Sequence, residues 1–168
     1  MKELLEAIEH DSLPKIKKLL EQKSYNLNKE VVIGQEYDLE EYDEIALLFY
    51  VIQKDASLEA IELLLERGMD IHHTNREGLG VVDIAIKYKR KDVISLAKRH
   101  GVDITVSKRK SGLTPLMLAA SFSDIEMMQF LIENGAQADQ KDKFGMSALD
   151  YAIKMGQKRS AKFLEELE

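Results

Sequence analysis

The chain contains no cysteine, which excludes a disulfide framework, a thiolate metal cluster and a cysteine nucleophile, and suits a reducing compartment. Prolines number two and glycines nine in 168 residues, with no long single-residue tract. A disordered, collagen-like or linker-rich chain is therefore not expected, since such chains bury too little apolar surface to offset ordering entropy. No apolar run approaches the roughly 18 residues of a membrane span. The opening MKELLEAIEH sets acids where a signal peptide needs an unbroken apolar stretch. The expectation is a cytoplasmic protein without membrane contact. The composition, 45% hydrophobic and 32% charged, provides for one core. At this length a single domain is expected rather than two.

The net charge of −6 conceals a division. Residues 1–74 carry 8 basic and 17 acidic side chains, residues 75–110 carry 10 and 4, and the remainder 6 and 9. A dedicated duplex-DNA binder shows a basic domain because phosphate neutralisation dominates its affinity. Acidic flanks around a positive island argue against nucleic acid as the main ligand. Solvated helix faces account for much of this pattern, yet opposite polarity along the chain can also orient a partner. The basic cluster Lys87-Tyr88-Lys89-Arg90-Lys91 with Lys108-Arg109-Lys110 reads as a solvated face or a dock for an acidic partner, ahead of single-stranded nucleic acid.

Self-similarity organises the rest. Gly112 follows Gly78 by 34 residues, and Gly145 follows Gly112 by 33. After each glycine comes a short apolar helix, a break and a second amphipathic helix, predicted at Pro115 to Ser121 and Ile125 to Glu133 in the clearest copy, which closes at Gly135. Such a unit has apolar residues on facing helical sides and cannot bury them alone, so copies must stack.

The run Gly112-Leu113-Thr114-Pro115-Leu116-Met117-Leu118-Ala119-Ala120 resembles the ankyrin repeat core G-x-TPLH-x-AA, with Met117 in place of the histidine. Leu131-Ile132-Glu133-Asn134-Gly135-Ala136 resembles its close. The resemblance implies that Thr114 caps the first helix, Pro115 opens it, and Ala119 and Ala120 let neighbouring helices approach closely. It further implies a mostly α solenoid of about five helix-turn-helix units joined by short β-hairpin fingers. The units are 1–28 as N-terminal cap, 41–74, 75–108, 109–141, and 142–168 as C-terminal cap. Residues 29–40 form an inserted finger. In the unit from 75, Gly80-Val81 stands where Thr-Pro is usual, so that helix start is expected to be less regular. A small free-standing bacterial protein of this family is the expected source.

The insertion holds Val31-Val32-Ile33-Gly34-Gln35, read as a strand and turn, and then Tyr37 and Tyr42 among acids. It is either a partner-contacting edge with amphipathic anchors or a cheaply tolerated loop. In the family, fingers and the exposed sides of first helices form a concave groove that binds proteins. By register this points to Arg76, Glu77, Leu79, Lys87 and Tyr88, then to Lys110, Ser111, Leu113, Ser121 and Phe122, and then to Lys143, Phe144, Met146, Lys154 and Met155. Tyr88, Phe122 and Met155 share one repeat position and are expected to form an apolar ladder rimmed by lysines. Burial against adjacent repeats is the alternative.

No G-x-S-x-G, H-E-x-x-H, Walker or dinucleotide glycine motif is present, so no enzyme is expected. Neither a metal nor a cofactor is expected. Neighbouring His72 and His73 would point to opposite sides of an extended segment and chelate poorly, while His10 and His100 fall at helix ends. The expected function is a monomeric, non-enzymatic interaction module for one or more proteins. The alternative, carried by resemblance to small bacterial ankyrin proteins, is an accessory factor for an enzyme such as catalase or for haem delivery, using His72, His73, Tyr88 or the methionines.

Overall fold

The computed structural model describes residues 1–33 and 43–167. The chain divides into two compact units, Met1–His73 and Thr74–Glu168. The first contains α1 (Lys2–Glu9), α2 (Leu13–Gln22), β1 (Glu30–Ile33), β2 (Asp43–Ala46), α3 (Leu47–Gln53) and α4 (Leu58–Glu66). Strands β1 and β2 pair antiparallel with Glu30 opposite Ala46. The expected strand thus has a partner that runs directly into α3. Leu4, Ile8, Ile16, Leu47, Leu48, Ile52, Ile61 and Leu64 are fully buried in this unit.

The second unit contains α5 (Val81–Lys87), α6 (Lys91–Arg99), α7 (Pro115–Ser121), α8 (Ile125–Glu133), α9 (Ala148–Lys154) and α10 (Lys158–Glu165). The inner helices α5, α7 and α9 pack in sequence, α7 against both of the others. Ala85, Ala119 and Ala152, one repeat apart, are fully buried, and their small side chains permit that close approach. Leu116, Met127, Met128 and Leu131 fill the space between α7 and its neighbours.

Helix starts follow from local chemistry. Thr114 Oγ1 accepts from the Met117 amide at 3.3 Å, and Pro115 occupies the first turn. At α9 the cap is reciprocal: Ser147 Oγ accepts from the Asp150 amide, and Asp150 Oδ2 accepts from the Ser147 amide. The expected irregularity at Gly80-Val81 is not found, since α5 has the same seven residues as α7 and α9. The reason is Asp83. Its Oδ2 accepts from the Gly80 amide at 2.9 Å, so the carboxylate three residues ahead covers the end that glycine cannot cap. Its Oδ1 accepts from Arg109 Nε at 2.8 Å, which ties the next finger to the same buried side chain.

Every inner helix ends in the same turn. The amides of Ser12, Ala56, Arg90, Asp124 and Gln157 each donate to the carbonyl five residues back, and the residue before each amide is left-handed: Asp11, Asp55, Lys89, Ser123 and Gly156. Outer helices use the same closure at Gly68, Gly101 and Gly135.

Ser160 takes the repeat position of Val93 and Met127, all three buried. Its hydroxyl has no hydrogen-bond partner among the described residues. Ser160→Ala is expected to raise the unfolding free energy by about 1 kcal/mol, because a buried unpaired hydroxyl carries its full desolvation cost. Urea denaturation measures this, and a loss of stability would show that the hydroxyl is satisfied.

Candidate partner-binding face

Two of the three fingers of the second unit are built alike. Asn75 Oδ1 accepts from the amides of Glu77 and Leu79, each at 3.0 Å. Asp142 Oδ1 does the same for Phe144 and Met146, each at 2.9 Å. The intervening finger uses serines instead: Ser107 Oγ donates to the Leu113 carbonyl at 2.6 Å and Ser111 Oγ accepts from the Leu113 amide. The Lys143 amide donates to the Ser111 carbonyl at 3.0 Å, linking neighbouring fingers.

Asp142 also fastens its finger to α9, since Oδ2 accepts from the Tyr151 hydroxyl at 2.6 Å. Burial pushes the Asp142 carboxyl up, but the Tyr151 hydroxyl and the Met146 and Phe144 amides outweigh it and leave the group below the usual carboxylate range. The same bond, with burial, pushes Tyr151 up to about 12. The finger that presents Lys143 and Phe144 is therefore held by a charge-assisted bond.

These scaffolds set side chains in columns one repeat apart. Arg76, Lys110 and Lys143 form an exposed cationic column. Leu79, Leu113 and Met146 form a half-buried apolar one. At the inner-helix ends, Tyr88 is half-buried, whereas Phe122 is 50% and Met155 55% exposed. The Lys87 ammonium lies 5.6 Å from the Tyr88 ring centroid, a cation–π contact that holds the exposed lysine over that rung. Phe144 is 74% exposed on its finger. Tyr37 and Tyr42 lie outside the described residues.

Ile153 is a residue that sequence reasoning missed. It is 60% exposed, although Ile86 and Ala120 at the same register are buried by the next inner helix. The described residues hold no inner helix after α9, so periodicity alone assigns Ile153 to the core and position in the stack reverses that assignment.

Elsewhere, the first unit has a cleft of about 610 Å³ between α1 and the hairpin, with Leu5, Val31 and Val32 beside Glu6, Glu30 and Glu44. The histidines are dispersed. His10 Nδ1 donates to the Glu6 carbonyl at 2.7 Å, the His73 ring meets the Phe49 ring edgewise at 5.6 Å, and His72 and His100 are exposed. Among the described residues no three His, Asp or Glu side chains are grouped to hold a metal ion. No helix there is long and apolar enough to cross a membrane.

A sequence profile of three ankyrin repeats matches residues 84–167, half of the chain. The chain is 30% identical to the ankyrin repeat protein nuc-2 of Neurospora crassa over 64% of its length and 10% of that protein. It is 31% identical to the mouse B-cell lymphoma 3 protein homolog over 52% of its length and 20% of that protein. An L-asparaginase of Dirofilaria immitis is 29% identical over 62% of the chain and 18% of that protein. The chain thus spans a fifth or less of these relatives, so the enzyme name of one of them describes a much longer protein. The profile match agrees with the helix pairs, the capped inner helices and the repeated finger turns, and the chain belongs to the ankyrin-repeat family, whose repeats are generally protein–protein interaction modules.

Proposed function

We propose that this chain is a non-enzymatic, monomeric module that binds a cytoplasmic partner protein in the groove formed by the fingers and inner helices of the Thr74–Glu168 unit. The observation that carries this reading is the recurrence of exposed and half-buried apolar groups at shared repeat positions: Phe122 and Met155, half-exposed at the register of Tyr88, together with the finger residues Phe144 and Met146. Leaving several large apolar groups in water on one face costs solubility unless a partner covers them. Lysines around them supply a polar rim. The inserted finger with Tyr37 and Tyr42 enters this reading from the sequence alone, as a second contact.

The test compares Phe122→Ala/Met155→Ala with the wild type. Tyr88 is left intact because its partial burial would mix stability with binding. The double variant is expected to lose less than about 1 kcal/mol of stability, as exposed substitutions do, and to lose the protein that the wild type retains on affinity capture. Unchanged capture, or a large drop in melting temperature with all binding preserved, would contradict the proposal.

A further inference from the structure

The apolar rungs do not distinguish one partner from another, but the charges around them do. Arg76, Lys110 and Lys143 stand at one register in successive fingers, and Lys87 adds a cation beside Tyr88. None of these four forms an ion pair among the described residues. Lys89, Lys98, Lys108, Lys154, Lys158 and Arg159 also lie outside the ion pairs of the described residues, so shared register on successive fingers, rather than lack of a partner, sets Arg76, Lys110 and Lys143 apart. Lys91 pairs with Glu126 at 3.2 Å, Arg90 with Asp92 at 2.8 Å, and Arg109 with the buried Asp83. The same finger turns carry the exposed Glu77 and the buried Asp142, whose carboxylate is engaged by the Phe144 and Met146 amides and the Tyr151 hydroxyl. Like charges stacked one repeat apart repel, and the apolar surface between them lowers the local dielectric, which strengthens attraction to an opposite charge.

We propose that the occupant of this face is an acidic protein segment bearing bulky apolar side chains, its carboxylates meeting the Arg76, Lys110 and Lys143 column and its apolar groups meeting Phe122, Phe144 and Met155. The proposal rests on the reading of this face as the partner-binding surface. Stacked helices lie roughly 8–10 Å apart, and an extended segment advances about 3.3 Å per residue. An acid at every third position therefore keeps pace with the cationic column. Nucleic acid is a poorer match, because Leu79, Leu113, Met146 and Met155 offer aliphatic surface where successive bases need aromatic platforms.

The test is fluorescence anisotropy with the full chain and four labelled probes: a Glu-Leu-Ser repeat peptide, a Lys-Leu-Ser repeat, a Glu-Ser-Ser repeat and oligothymidylate. The acidic, leucine-bearing peptide is expected to bind most tightly and to weaken with added salt. Lys110→Glu/Lys143→Glu is expected to weaken it about tenfold or more, and Lys110→Gln/Lys143→Gln by less. Both pairs lie on exposed finger tips, and an unchanged melting temperature shows that the fold is intact. Equal binding of the lysine peptide, or tighter binding of oligothymidylate, overturns the acidic-segment proposal. If no probe binds while Phe122→Ala/Met155→Ala still loses the captured partner, the charge assignment fails and the face stands. If no probe binds and capture is unaffected by that variant, both fail.

Discussion

Leu131→Ala and Leu116→Ala are each expected to lower the unfolding free energy by about 2–5 kcal/mol, the cost of deleting a buried leucine whose cavity cannot collapse. Both side chains are essentially without solvent contact. Leu116 lies on α7, which is packed against α5, α8 and α9, so no single neighbour can move in without leaving another contact. Leu131 closes α8 just before the Gly135 turn, where its own carbonyl accepts from the Ala136 amide. In a repeat protein stability is close to a sum of unit and interface terms, and a cavity at α7 weakens an intrinsic term and two interfaces together. Urea denaturation should show a lower midpoint with an unchanged slope. A loss well under 1 kcal/mol would mean that the register assigned to these helices is wrong.

Gly78→Ala is expected to have the next largest effect, and Gly145→Ala supplies its control. Both glycines are left-handed, with φ of 85° and 76°, a conformation that costs an alanine about 1–2 kcal/mol. They differ in surroundings. A Cβ on Gly145 meets nothing within 4 Å, whereas one on Gly78 falls 2.2 Å from the Lys108 carbonyl oxygen. That backbone leads directly into Arg109, which is held by Asp83, so it cannot yield freely. Overpacking adds about 1–3 kcal/mol to the first term. Thermal denaturation should rank Gly78→Ala clearly below Gly145→Ala. Equal losses would show that the fingers carrying Arg76 and Lys110 are not locked to one another.

The parts of this architecture that were legible in the sequence are those where one residue type answers one local need. Thr114, Pro115 and Gly135 delimit α7 and α8 at the residues observed, because a hydroxyl cap, a fixed φ and a left-handed closure each leave a distinct trace. The turns between inner and outer helices were less legible. Asp11, Asp55, Lys89 and Ser123 adopt there the conformation that glycine takes at Gly156, and it is the five repeated hydrogen bonds, rather than a residue preference, that impose it. Asp83 was hidden for a related reason. Reading position by position, Gly80 lacks a cap. Its substitute comes from three residues ahead and is fixed by a finger 26 residues further on.

For the candidate face, register alone placed Phe122, Phe144, Met155, Arg76 and Lys110 on exposed positions, since a repeat of 33 or 34 residues returns each side chain to the same setting. It failed at Ile153, where the following repeat that buries Ile86 is missing from the described residues. It was silent on which cations are neutralised. Lys91 and Lys87 are equally basic in sequence, yet the first is paired with Glu126 and the second lies over Tyr88.

The inner face of the Thr74–Glu168 unit is the proposed place of partner binding. Amide hydrogen exchange of the full chain, alone and with the captured partner, tests it most directly. Added protection is expected in the three finger segments around Gly78, Gly112 and Gly145 and at the helix ends carrying Tyr88, Phe122 and Met155, with outer helices α6, α8 and α10 unchanged. Protection confined to the outer helices, or to the Met1–His73 unit, would contradict it.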